Sequence, residues 1–187
     1  EKSVFPKKFE ASANRHIEIL KEELTDIHHR TILEVATGTG NDVEFISPDN
    51  SYIGTDISAG LLRRAVRNFE NHGFKDFELY VADAGDLPFS ENQFDLLLCH
   101  LSMNFFNELW PFLSESYRVL KAGGLFYGSI PVPEKKPPRA TIHGTLYSED
   151  ELKDHFQQQG FQYSALPHEN GALLYFRALP VSPWRKE

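Results

Sequence analysis

Apolar residues along the chain follow two rhythms, and the rhythms alternate. From Ala13 to Ile27 they recur at Ala13, Ile17, Leu20 and Leu24 with charges between, the spacing of an amphipathic helix. Thr31 to Ala36 is a short β-prone run that breaks at Thr37-Gly38-Thr39-Gly40. Asn41 to Ile46 predicts the start of a helix stopped near Pro48, and Tyr52 to Asp56 a second strand. Ser58 is placed to cap a helix whose apolar face is Leu61, Leu62, Ala65, Val66 and Phe69, ended by Gly73. Phe77 to Ala82 alternates as a strand does, Asp83 to Asn92 reads as a loop, and Phe94 to Cys99 suits a buried central strand. Leu109, Phe112, Leu113, Tyr117 and Leu120 return to helical spacing, with Lys121-Ala122-Gly123-Gly124 as the stop. Leu125 to Ile130 is a fifth strand. Ser148-Glu149-Asp150-Glu151 is a capping box for a helix running to about Gln159. Phe161–Ala165 and Ala172–Ala178 form a final antiparallel pair around an Asn170-Gly171 turn.

Strands alternating with helices predict βαβ units, hence a mainly parallel sheet covered on both faces. Ligands of such sheets bind at the carboxyl ends of the strands. Those ends are Ala36, Asp56, Ala82 and Cys99. A length of 187 residues fits one domain over 1–187.

Composition narrows the classes. Hydrophobic residues make up 41% and charged residues 25%, which excludes disorder for the bulk of the chain. The net charge of −8 argues against phosphate-dominated nucleic-acid binding. Cys99 is the lone cysteine, so no internal disulfide forms, and a reducing, cytoplasmic location is expected. No apolar run approaches the ~20 residues that span a bilayer. The stretch from Glu1 to Lys8 has no signal-peptide core, and the missing initiator Met leaves a lost targeting segment open. No His, Cys or carboxylate spacing matches a metal site, so none is expected.

The first strand end carries the strongest local signal. Gly38 and Gly40 let backbone approach a ligand closely, although a plain tight turn explains them as well. Asp56 follows Gly38 at the interval of a carboxylate that accepts from ribose hydroxyls, or it is a helix cap. A nicotinamide dinucleotide fits poorly, because Val43 stands where its fingerprint wants a third glycine. Asn41, Asp42 and Glu44 suit a cationic or zwitterionic ligand better than a pyrophosphate. A P-loop is excluded, because no Gly-Lys-Ser/Thr follows.

Five segments in order then carry a resemblance. They are Ile32-Leu33-Glu34-Val35-Ala36-Thr37-Gly38-Thr39-Gly40, Tyr52 to Ser58, Val81 to Phe89, Phe94 to Cys99, and Arg118 to Gly124. Together they resemble the motifs of class I S-adenosylmethionine-dependent methyltransferases, in a small, minimal-fold form of the type 11 kind. The resemblance implies a Rossmann-like, seven-stranded, mainly parallel sheet with one antiparallel strand near the C-terminus and helices on both faces. It spans roughly residues 13 to 178. It also implies a cofactor, S-adenosylmethionine, with S-adenosylhomocysteine as product. Ala36, Thr37, Gly38 and Gly40 would pass under its methionine portion, and Glu34 would help hold the amino end. Asp56 would take the ribose hydroxyls, Ile57 would pack on adenine, and Asp83 with the Ala84 N–H would read the ring. Cys99 and His100 would line the wall near the methyl group. The family more often has glycine where this chain has Ala36, which keeps a non-catalytic binding module as an alternative.

The acceptor is less defined. The implied contact segments are Phe5 to Asn14, Leu101 to Phe106 and Pro131 to Leu146. Residues 1–30 would form a helical segment over the site, 131–147 a Pro-rich loop and 180–187 a tail. That loop is a basic lip for an anionic acceptor or simply solvated chain. His100 and His143 are the candidate proton acceptors, each with a bland reading as wall or loop residue. Phe105 and Phe106 would clamp a planar acceptor, with burial of at least one expected. Trp110 and Pro111 open a helix that serves either a dimer face or the core. The expectation is methyl transfer to O, N or S of a small molecule, with a protein acceptor as the alternative and nucleic acid or membrane disfavoured.

Overall fold

The computed structural model describes residues 8–136 and 141–181. Residues 1–7, 137–140 and 182–187 lie outside the described set, and with them the first part of the N-terminal acceptor segment, the centre of the Pro-rich loop and most of the tail.

Seven strands form one sheet in the order β3-β2-β1-β4-β5-β7-β6. They are β1 Thr31–Val35, β2 Ser51–Asp56, β3 Phe77–Val81, β4 Phe94–His100, β5 Leu120–Pro131, β6 Phe161–Asn170 and β7 Leu173–Pro180. The first five run parallel, and β7 is antiparallel to both of its neighbours. The order in which strands are added therefore reverses between the parallel neighbours β1 and β4, the switch point at which the connections leaving their carboxyl ends run to opposite sides and leave a crevice.

Helices cover both faces. On one face lie α1 (Ala13–Leu24) and α2 (Ala59–Asn71), whose Leu20, Leu24, Ala65 and Phe69 pack with Ile32, Tyr52 and Leu98. On the other lie α3 (Leu109–Val119) and α4 (Glu149–Gln158), whose Phe112, Leu113, Leu152 and Phe156 pack with Leu33, Leu97, Phe126 and Phe176. Ser58 caps α2 by accepting from the Leu61 N–H, and the Ser148–Glu151 capping box opens α4 with both of its hydrogen bonds.

Three expectations shift. The helix predicted from Asn41 is a single 3₁₀ turn, Asn41–Glu44, because Pro48 and the return to β2 leave it no room. It is too short to offer a helix-dipole ligand site. The buried face of α1 is His16, Ile19, Leu20 and Leu24, with Ala13 and Ile17 only half-buried. The Tyr175 hydroxyl, 2.7 Å from His16 Nδ1, draws the histidine inward and rotates the face. Strand β5 begins before the glycine stop. Phe94 pairs with Leu120 and Leu96 with Leu125, so Lys121 to Gly124 bulge out of the ladder, with Gly123 at φ 77°.

Candidate active site

The loop leaving β1 is built from its own short side chains. Thr37 Oγ1 donates to the Glu34 carbonyl at 3.0 Å, and Thr55 Oγ1 reaches the same oxygen from β2. Ala36 takes φ 61°, the left-handed region. An alanine there adopts the path that glycine follows more easily, so the turn stays in place at a cost of ~1–2 kcal/mol. Gly38 and Gly40 also have positive φ, for different reasons. A Cβ on Gly40 would strike the Phe69 ring at 2.7 Å, so that glycine seats the loop on α2. A Cβ on Gly38 would meet nothing nearer than the Ala36 carbonyl at 4.0 Å, so that glycine faces open space.

Asp56 ties the loop to the second strand. Its Oδ2 accepts from the Gly38 N–H at 2.9 Å and its Oδ1 from the Ser58 N–H at 2.8 Å. Ser58 and not Asp56 is the helix cap, so the aspartate braces the loop instead, and a carboxylate has lone pairs left for hydroxyl donors. Ile57, the next residue, is 77% exposed, a large apolar side chain with no protein cover. Asp83 follows β3 and steadies its own turn by accepting from the Gly85 N–H at 2.8 Å. Asp83 is exposed and Ala84 half-buried. The result is a row of a flat backbone, a carboxylate, an uncovered apolar side chain and a second carboxylate along consecutive strand ends.

Beneath the loop lies a cluster the sequence did not reveal. Glu34 is 4% exposed and accepts from the Tyr52 hydroxyl at 2.9 Å. Burial first, and then the Asp42 charge, hold Glu34 well above the usual carboxylate range. Burial pushes Asp42 up to about 6, against the opposing pull of His16. Asp42 Oδ2 stands 3.4 Å from His100 Nε2. His100 Nδ1 is 3.0 Å from Ser129 Oγ, so both ring nitrogens face protein. Burial depresses His100 to about 3 and His16 to about 4, leaving both neutral near pH 7.

The remaining expected residues divide. Cys99 is fully buried among the core side chains, and burial pushes its thiol up. His143 is exposed, its carbonyl accepting from Asn104 Nδ2 at 2.7 Å. Phe106 packs on Phe112 at 4.8 Å, whereas Phe105 is 57% and Trp110 51% exposed. Among the described residues, no cluster of three or more His, Cys, Asp or Glu is arranged to hold a metal ion, and no helix is long and apolar enough to cross a membrane.

Residues 33–128 match the family model described as "Methyltransferase domain". The chain belongs to this family of class I S-adenosylmethionine-dependent methyltransferases. The methyltransferase domain is 39% identical over 114 residues to a demethylmenaquinone methyltransferase of Symbiobacterium thermophilum, an alignment covering 57% of this chain and 45% of the relative. The chain spans about half the length of the curated relatives it matches first. Two solved structures show the same fold. The YcgJ protein of Bacillus subtilis matches with a TM-score of 0.76 at 14% identity, over 91% of this chain and 99% of that one. A SAM-dependent methyltransferase from Aquifex aeolicus matches with a TM-score of 0.72 at 19% identity, over 94% and 92%.

The family's cofactor is S-adenosylmethionine, and the methyltransferase domain has residues that fit it. The open side of Gly38, the uncovered Ile57 and the two strand-end carboxylates offer an accessible backbone, an apolar surface and hydrogen-bond acceptors, the kinds of group an adenosyl ligand would use.

Proposed function

We propose that the chain binds S-adenosylmethionine across the carboxyl ends of β1, β2, β3 and β4 and transfers its methyl group to a small, planar, hydroxylated acceptor. The observation that carries the reading is the uncovered Ile57 set between Asp56 and Asp83. In it, Asp56 accepts from the ribose, Ile57 stacks on the base, Asp83 and the Ala84 N–H read the ring edge, and the Ala36–Gly40 loop supports the amino acid end. Glu34 acts through that loop.

When bound, the cofactor supplies an electrophilic methyl group on a sulfonium. That methyl group would pass to an acceptor electron pair by in-line displacement, with Asp56 and the Ala36–Gly40 loop holding the donor in place. An acceptor carbon or heteroatom then loses its proton. The chain's contribution is positioning, since alignment of two reactants alone supplies ~7–11 kcal/mol in favourable cases. His100 and His143 supply no poised base in this arrangement, because one is enclosed between Asp42 and Ser129 and the other lies in an exposed loop.

The name of the Symbiobacterium relative supports a quinone-type acceptor and adds carbon to the acceptor atoms expected from sequence. A reduced, electron-rich ring is the chemically competent form, because an oxidised quinone is itself an electrophile. The exposed Phe105 after β4 is suited to the face of such a ring. The test is transfer of labelled methyl to a reduced naphthoquinone, beside a panel of phenols, amines and thiols. Label on the ring, lost in Asp56→Ala, is expected. Binding of S-adenosylhomocysteine with no labelled product from any acceptor would overturn the transfer reading.

A further inference from the structure

The loop that leaves β4 contains two unfavourable features. Its first residue, Leu101, takes φ 57°, a left-handed conformation that a bulky side chain rarely adopts. The Leu101 N–H donates to the Ser129 carbonyl at 2.8 Å, which turns the chain off the strand at once. Three residues on, Asn104 is 2% exposed, and its Oδ1 is buried without a hydrogen-bond partner among the described residues. A buried acceptor left unpaired destabilises a fold, so what this residue contributes lies in its other contacts.

Those contacts join two loops. Asn104 Nδ2 donates to the His143 carbonyl at 2.7 Å, and the Asn104 carbonyl accepts from the Thr145 N–H at 2.8 Å. Between them Gly144, at φ 90°, lies so close that a Cβ would stand 2.0 Å from the Asn104 carbonyl oxygen. Residues 141–147, which precede α4 and form no helix or strand, are thus fastened to the loop after β4. The fastening bears on one exposed side chain. Met103 is fully buried, Asn104 nearly so, and Phe106 packs on Phe112 at a centroid distance of 4.8 Å. Phe105 stands among them at the end of a single 3₁₀ turn and is 57% exposed. Its place is set by register. Glu34 pairs with Leu98, so Ala36 and His100 leave the sheet side by side, at the crevice where a ligand is expected.

We propose that Asn104 is a positioning residue of the acceptor site: by clasping residues 141–147 it fixes the turn that presents the Phe105 ring to the face of a planar acceptor. This inference rests on the transfer reading above. In this role Asn104 touches neither acceptor nor cofactor and acts through Phe105. It removes motion from the platform beforehand, so acceptor binding does not have to order the turn.

The experiment is a double-mutant cycle on KM for reduced naphthoquinone, read as transfer of labelled methyl at saturating S-adenosylmethionine. Phe105→Leu replaces an exposed ring and should raise KM ~10-fold, the worth of a good aromatic contact. Asn104→Ala should raise it by about as much, with kcat and the calorimetric affinity for S-adenosylhomocysteine little changed. Because Asn104 acts through Phe105, the double variant should be no worse than either single one. Asn104→Asp keeps the size of the side chain but sets an acceptor against the His143 carbonyl, and repeats the effect if the alanine variant does not fold. Losses that multiply to ~100-fold in the double variant overturn the proposal, as does an Asn104 variant with the KM of the unmodified chain. An Asn104→Asp protein that does not fold, or that loses S-adenosylhomocysteine binding as well, shows a general structural role and overturns it too. Each of these results leaves the transfer reading intact. Binding of S-adenosylhomocysteine by the unmodified chain with no label on any acceptor overturns the transfer reading itself, and the platform with it.

Discussion

The two glycines of the first loop make a paired prediction in which one substitution is read in stability and the other in binding. Both have positive φ, 58° at Gly38 and 71° at Gly40, so an alanine at either costs ~1–2 kcal/mol in backbone conformation. At Gly40 the new Cβ also meets Phe69 at 2.7 Å and the Ala65 Cβ at 3.2 Å. Phe69 cannot yield freely, because Tyr52 lies 4.9 Å, Phe77 4.8 Å and Phe74 5.4 Å from it, ring centroid to ring centroid. Overpacking of that kind adds ~1–3 kcal/mol. Gly40→Ala therefore loses ~3 kcal/mol in all. At ~2–4 °C per kcal/mol for a chain of this size, the melting temperature falls by roughly 6–12 °C. Gly38→Ala carries only the conformational cost and falls by roughly half as much. Its methyl projects into the space proposed for the cofactor, and S-adenosylhomocysteine should bind at least ~10-fold more weakly, a loss of ~1.4 kcal/mol. The assay is a thermal melt of each variant followed by titration calorimetry. A Gly40→Ala protein that melts no lower than Gly38→Ala, or a Gly38→Ala protein that binds as tightly as the unmodified chain, would refute this division of roles.

Other outcomes follow from single residues. Ala36→Gly relieves left-handed strain of ~1–2 kcal/mol against a glycine entropy cost of ~0.5–1 kcal/mol, so a melt should show a small gain in stability. Asp83→Ala removes the proposed adenine acceptor and the brace on the Gly85 N–H. At ~0.5–1.5 kcal/mol per hydrogen bond, calorimetry should read a ~3–10-fold loss for S-adenosylhomocysteine, and full affinity would dismiss the assignment. Stability against pH should be nearly flat from pH 6.5 to 4. Asp42, raised to about 6 in the fold, and Glu34, held well above the carboxylate range, stabilise as pH falls, whereas His16, depressed to about 4, and His100, depressed to about 3, destabilise from pH 6.5 downward. His16→Gln removes one of the two destabilising histidines, so denaturant melts of that variant should show stability rising on acidification; a fall would contradict the assignment.

Most elements were legible because each is encoded locally. The Ser148 capping box, the Gly73 stop and the apolar run from Phe94 need only neighbouring residues to be understood, and all appear where expected. The strand-end residues Gly38, Asp56, Ile57 and Asp83 were legible for a related reason: topology alone brings successive strand ends together. The cluster of Glu34, Asp42, His16, His100 and Tyr175 was not, because it draws one side chain from each of five segments at no fixed spacing. A signal was available in part. Asp42 directly precedes the buried Val43 in a turn with no room to expose it, and His16 interrupts an apolar face. Neither says what the residue meets. The register of β5 was hidden for the opposite reason: Gly123 and Gly124 mark a true loop, but the strand pairs on both sides of it.

The hold of the last hairpin on the first helix has a consequence for synthesis. Asn170 accepts from the Ser12 N–H and donates to the Ser12 carbonyl, Tyr175 bonds His16, and the Ala172 N–H reaches the Phe9 carbonyl. His16 and Tyr175 lie 159 positions apart in the chain. At ~5–20 residues per second, a ribosome completes α1 on the order of 10 s before the strand that buries its histidine emerges. During that interval the His16 end of the helix lacks its β7 partner, and a 12-residue helix is marginal in water. Among the last contacts to become available are therefore those that dock the start of α1. A nascent chain stalled before β7 has its parallel strands and its glycine loop, but not the Tyr175 hydroxyl that holds His16 beside them.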